Sequence, residues 1–161
     1  MSATVVFSES NTLSETISDD IDNINLGDVD EPNIVPGSHK IRRGLNSYSK
    51  YIRVLFTGDF TEISNILLWK SSGDYKTGET LKAESDKEYA TPSREDTEDD
   101  NIPTSEETAL VLSAYEGGAV IDNATAFSGY TAYIRMQLQS STSSPAGAVN
   151  QKTIKCQYDE V

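Results

Sequence analysis

His39 is the only histidine and Cys156 the only cysteine in the 161 residues, so the imidazole that usually activates a nucleophile and the thiol that can serve as one each occur once. A Ser-His-Asp or Cys-His arrangement would have to pass through that single imidazole. His39 sits between the Pro36-Gly37 turn and Arg42-Arg43, with no acid next to it in the chain to orient it, and reads as a surface-loop residue. Cys156 alternates with Ile154 and Tyr158 on one side of a strand-like segment, which suits a small core residue. A lone cysteine also excludes an internal disulfide and any multi-cysteine zinc site. Gly117-Gly118 lacks the spacing and the following lysine of a phosphate-binding loop.

Carboxylates are plentiful but badly spaced for a cation. Asp20, Asp22 and Asn25 do not match the alternating ligand positions of a calcium loop, nor do Asp28 and Asp30, which run into Pro32. Glu98, Asp99, Asp100 and Asn101 offer oxygens without a turn to converge them. The expectation is no metal, no cofactor and no enzyme. A sandwich hydrolase with paired carboxylates stays an alternative, because the geometry of such a pair is set in three dimensions. Trp69 ends an apolar run and is expected to anchor the core. The eight tyrosines suit contact surfaces, since Tyr buries a large area and keeps a polar end.

The charge is unevenly placed. The chain carries 26 acids and 13 bases, a formal net charge of -13. Residues 1–39 hold eight acids and no Lys or Arg, and residues 84–107 hold ten acids against Lys87 and Arg94. The remainder is slightly basic. Stretches of this kind read as solvated segments, or as arms that dock on a basic surface and become ordered there. Nucleic-acid binding is disfavoured, since it needs Lys and Arg to neutralise phosphates, and His39-Lys40-Ile41-Arg42-Arg43 is the only dense basic spot. No run of 18 apolar residues predicts a membrane helix, and Met1 to Glu9 lack the basic and apolar regions of a secretory signal peptide.

The elements that must position these residues are strands. Residues 1–38 are rich in Ser, Thr, Asn and Asp, with apolar residues in isolated pairs, and predict an extended N-terminal arm with one short strand near Thr4–Phe7. Period-two alternation predicts a strand over Tyr48–Phe56, with Lys50, Ile52, Val54 and Phe56 on one face and Tyr51, Arg53 and Leu55 on the other. Ile63–Lys70 is continuous enough for a strand buried on both faces. Tyr75–Ala83, Thr108–Tyr115, Thr131–Gln139 and Thr153–Tyr158 supply the rest, with Ala132, Ile134, Met136 and Leu138 inward and Tyr133, Arg135 and Gln137 outward. An acidic loop at 84–107 and a Ser/Thr/Pro/Gly loop at 140–147 interrupt them. About seven short strands, no convincing helix and no internal repeat predict an all-β fold, a single antiparallel β-sandwich of jelly-roll or immunoglobulin type. It would occupy residues 39–161, with the arm at 1–38.

The stretch Ile41-Arg42-Arg43-Gly44-Leu45-Asn46-Ser47-Tyr48-Ser49-Lys50-Tyr51-Ile52-Arg53, followed by Ile63-Ser64-Asn65-Ile66-Leu67-Leu68-Trp69 and Ser72-Gly73, resembles small β-sandwich virion proteins of tailed bacteriophages. Asn23 to Gly27 and Tyr133-Ile134-Arg135-Met136 add to the likeness, which covers roughly residues 23–80. The resemblance implies a structural role on the virion and brings no catalytic site. The expectation is a capsid decoration (cement) subunit, with partners the major capsid protein or other virion subunits and further copies of itself, and no nucleic acid or membrane. Assembly would take place in the host bacterial cytoplasm. A neck or tail component, or a carbohydrate-binding sandwich of a host-recognition structure, is the alternative. The interface residues expected on this reading are Val5, Phe7, Ile17, Ile21, Ile24 and Leu26 of the arm, the counter-charges Lys40, Arg42 and Arg43, and the outward Tyr51, Arg53, Tyr133 and Arg135.

Overall fold

β-Branched and aromatic residues at alternate positions build nine strands in the computed structural model, which describes residues 2–86, 88–97, 99–115, 117–123, 129–146 and 149–161. They are β1 (Ala3–Asn11), β2 (Thr16–Ser18), β3 (Lys50–Gly58), β4 (Glu62–Ser72), β5 (Glu79–Asp86), β6 (Leu110–Leu112), β7 (Ile121–Asp122), β8 (Tyr133–Ser140) and β9 (Thr153–Glu160). A single 3₁₀ turn, Glu106–Thr108, precedes β6, and no α-helix occurs among the described residues.

All pairings are antiparallel, in two sheets. The first has the order β2-β1-β3-β8-β5. The second is built on β4. Leu67 and Leu68 pair with both β6 and β9, and Ile63 pairs with both β7 and β9. So β9 lines one side of β4, while β6 and β7 share the other. The extra residues at the irregularities of the β4–β9 pairing lie on β4, where Asn65 takes a positive φ of 49°.

The core lies between the sheets. Ile52, Val54 and Phe56 of β3, Leu81 and Ala83 of β5 and Ile134, Met136 and Leu138 of β8 meet Ile63, Ile66 and Leu68 of β4, Leu112 and Ile121. Each of these side chains other than Ala83 contributes about 1.5–3 kcal/mol on burial. The inward faces of β3 and β8 are those the alternation predicts, and the antiparallel sandwich is what the chain forms.

The N-terminal segment differs from the extended arm expected of it. β1 runs nine residues instead of four and lies inside the first sheet, in register with β3 from Ala3 opposite Gly58 to Ser10 opposite Tyr51. Beyond β2 the chain has no strand until Lys50, yet Ile21, Ile24 and Leu26 pack against the core alongside Val5 and Phe7. The leader is therefore folded onto the body. Its local composition hides this, because the groups that hold it lie some 40 residues away or more.

Trp69 also differs in place. It is buried, at 5% exposure, but it belongs to the outer face of its sheet, outside the central cluster, with Lys155 Nζ 4.9 Å above its ring. Cys156 lies with Ile154 and Tyr158 on the inward side of β9, and burial pushes its thiol up to about 11.

Candidate functional site

Strand alternation sends Tyr51 and Arg53 of β3 and Tyr133, Arg135 and Gln137 of β8 to the outer face of the first sheet. That face is not open. Tyr51, Arg53, Tyr133 and Gln137 are all buried and Arg135 is partly buried, because the leader and the acidic loop lie across them as a third layer. Their expected role as a free contact surface is corrected accordingly: they hold the third layer on.

The first half of the layer is the turn between β1 and β2. Thr12 and Glu15 adopt positive φ (70° and 51°), uncommon for any residue but Gly and most of all for the β-branched Thr12, and the turn is pinned from both sides. The Thr12 amide donates to Asp30 Oδ2 (2.9 Å), and the Tyr89 hydroxyl donates to the Thr12 carbonyl (2.5 Å). This places Glu15 over the sheet. The Tyr133 hydroxyl donates to Glu15 Oε1, the Ser10 hydroxyl donates to the same oxygen (3.0 Å), and Arg53 Nη2 lies 3.8 Å from it.

Arg53 is 3% exposed, enclosed by the rings of Tyr130 (4.1 Å to the centroid), Tyr133 (4.5 Å) and Tyr115 (5.2 Å). The weakly hydrated guanidinium suits such a ring enclosure, which a lysine ammonium would not match. Tyr89 packs on Tyr51 and Tyr133 at ring separations of 5.0 and 5.9 Å. Burial first, and nearby carboxylates second, raise the phenols of Tyr89, Tyr130 and Tyr133 above the usual tyrosine range.

The acidic loop supplies the second half. Asp99 has a fully buried side chain and accepts from Arg135, whose Nε lies 3.2 and 3.1 Å from its two oxygens. Burial alone would raise the Asp99 carboxyl, but hydrogen bonds, with Arg135 first and Glu84 and Thr97 besides, and the Arg135 charge outweigh it and hold it below the usual range. Gln137 closes the seam by donating to the Ser47 and Glu95 carbonyls (3.1 and 2.8 Å).

A third ion pair sits on the inward side at the end of β1. Lys50 Nζ donates to Glu9 Oε2 at 2.6 Å, and both side chains are almost wholly buried. Glu9 Oε1 also accepts from the Asn33 amide (2.8 Å). Close by, burial raises the Asp30 carboxyl, against the opposing Thr12 amide. Glu9 and Glu15 of the first acidic stretch and Asp99 of the second thus meet basic residues of the same chain.

Sequence reasoning missed Glu15, Asp99, Tyr89, Tyr115 and Tyr130 as members of this layer, and Glu9 and Lys50 as a buried pair on the inward side. The available signal was the charge imbalance, two acidic stretches set against a basic remainder.

The other expected interface residues divide. Val5, Phe7, Ile21, Ile24 and Leu26 are partly buried and pack on the core, so they are not free to reach a partner. Ile17 is 45% exposed, and Lys40, Arg42 and Arg43 lie at the surface, where Arg43 donates to the Thr142 carbonyl. The chain does give His39 an acid: its Nδ1 lies 3.4 Å from Asp28 Oδ1, with both side chains about one-third exposed. No hydroxyl or thiol among the described residues bonds to that imidazole. Among the described residues no three His, Cys, Asp or Glu side chains gather in a metal-binding group. Glu98 of the acidic run lies outside them. Two open depressions, of about 420 and 390 Å³, lie beside the Asn65 irregularity and beside Asn123. Neither is lined by His39 or Cys156.

Comparison with protein-family models, curated proteins and solved structures finds no match for the chain.

Proposed function

We propose that the chain is a non-catalytic structural subunit of a tailed-phage virion, a capsid decoration protein held to the shell by protein contacts. The sequence resemblance over residues 23–80 suggests the setting. The observation that carries the reading is what remains outside once the internal pairs are formed. Leu13, at the tip of a turn pinned by Asp30 and Tyr89, is 81% exposed, and Ile17 of the following β2 is 45% exposed. Val35 (63%) and Leu45 (44%) flank the exposed Lys40 and Arg42.

Apolar tips on an anchored scaffold favour contact with another protein, since no segment has to be ordered on docking and the entropy cost of association falls. With a net charge of -13, a nucleic-acid partner is disfavoured. The glycan-binding alternative loses its platform, because Trp69 lies beneath Lys155. A neck or tail position would use the same surface.

Particles from a lysate of the producing host, banded on a density gradient, provide the test. Quantitative mass spectrometry should find this chain in the particle band at a copy number commensurate with the shell protein, and immunogold should decorate the heads. Recovery only from the unsedimented fraction would refute a virion role, and gold confined to tails would move the subunit there.

A further inference from the structure

We propose that two copies of this chain associate through β9, edge to edge, about a two-fold axis at Gln157. This surface is on the sheet opposite the covered face and is independent of the virion reading.

β9 is eight residues long and pairs only with β4 among the described residues. Val161 and Glu62 exchange both backbone hydrogen bonds (3.0 and 3.2 Å), so Val161 faces β4. The irregularities of that pairing add residues on β4 and none on β9, so the alternation along β9 is unbroken. It follows that Asp159, Gln157 and Lys155 turn their backbone groups to β4. Glu160, Tyr158, Cys156 and Ile154 turn theirs to the outer edge, an open ladder of the kind that recruits another strand.

Charged side chains normally guard such an edge, and β9 has them. Their spacing makes the edge hostile to strangers yet complementary to itself. In an antiparallel pair centred on Gln157, Lys155 of each copy stands opposite Asp159 of the other, twice by symmetry. Both lie exposed on the outer face of the sheet, where Asn65 donates to Asp159 (2.6 Å) and Lys155 covers Trp69. The same register sets Cys156 against Tyr158 and Ile154 against Glu160, the pairs whose backbone groups already point outward. Ile154, Cys156 and Tyr158 are only partly buried in the single chain, and a second copy would complete their cover. A strand pair alone is smaller than a standard protein interface, so the dimer is concentration-dependent.

Sedimentation equilibrium of the full chain tests this, with circular dichroism confirming the fold of each variant. Wild type should show a monomer–dimer equilibrium. Lys155→Glu and Asp159→Lys each place two like-charged pairs across the axis and should weaken the dimer by about tenfold or more. The two variants mixed should associate with each other, because both cross-axis pairs are then opposite in sign. The double variant should regain self-association. A wild type that stays monomeric at every concentration overturns the proposal, as does a dimer indifferent to both single substitutions. Should Lys155→Glu disturb the Trp69 cover, Asp159→Lys alone decides.

Discussion

Glu9→Gln and Lys50→Met, each made alone, should lower the stability of the whole chain by about 3–5 kcal/mol, because each leaves one partner of a buried ion pair without its counter-charge. The 2.6 Å contact is closed to water on both sides, and Glu9 also holds the Asn33 amide, so neither remaining group can find a replacement partner cheaply. Replacing both together, Glu9→Leu with Lys50→Met, should recover most of the loss, since well-packed apolar pairs commonly match or exceed buried ion pairs. Urea unfolding followed by tryptophan fluorescence reads the result, Trp69 being the single reporter and lying far from the change in sequence. If residues 3–11 were an appendage, Glu9→Gln would leave the midpoint of the body where it was. A cooperative shift of the single transition is the expected outcome.

The Arg135–Asp99 pair predicts a comparable loss with a pH signature. Arg135→Met should cost about 3–5 kcal/mol at neutral pH, because Asp99 has no exposed surface through which to be solvated. The sign of the acid response follows from the lowered Asp99 carboxyl. Its folded value lies below its unfolded one, so its contribution is complete above the ordinary aspartate range and disappears as the pH falls through the folded value. Asp30 acts in the opposite sense: burial raises it, so its charged form weighs against the fold at neutral pH and its protonation relieves that cost in acid. Asp99→Asn should therefore flatten the acid limb of the stability profile, and Asp30→Asn should steepen it. Thermal midpoints between pH 7 and pH 3 give both slopes.

How much of this was legible in the residues depended on whether the signal was local. Ile52, Val54 and Phe56 alternate within one strand, as do Ala132, Ile134, Met136 and Leu138, and the period alone placed them inward. β2 and β7, three and two residues long, carry too few positions for a period to show. Tyr51, Arg53 and Tyr133 lie on the side of the sheet that alternation predicts, but in a buried environment that alternation does not. Alternation reports only which face a residue points to, and a third layer covers this one. Ser, Asn and Asp across residues 8–33 look like a solvated leader because no local feature reveals that Glu9 meets Lys50, that Glu15 meets Arg53, or that Asp99 meets Arg135. The imbalance between two acidic stretches and a basic remainder was the trace of those meetings. An acidic leader can serve a distant basic partner or its own body, and here the body takes it.

The same point bears on function. A leader disordered in isolation would bind by folding, at a cost of about 1–2 kcal/mol per ordered residue in backbone entropy. With the leader already paired to β3, the contacts we propose fall to fixed surfaces: the Leu13 tip, the rim from Val35 to Leu45, and the edge of β9.

Native-state hydrogen exchange on the isolated chain tests the central claim most directly. Backbone amides of Val5 to Ser10 that bond to β3 should exchange as slowly as those of β3 itself, and should lose that protection together with it on Glu9→Gln. Full exchange of residues 2–18 within seconds, beside a protected β3 and β8, would contradict the account.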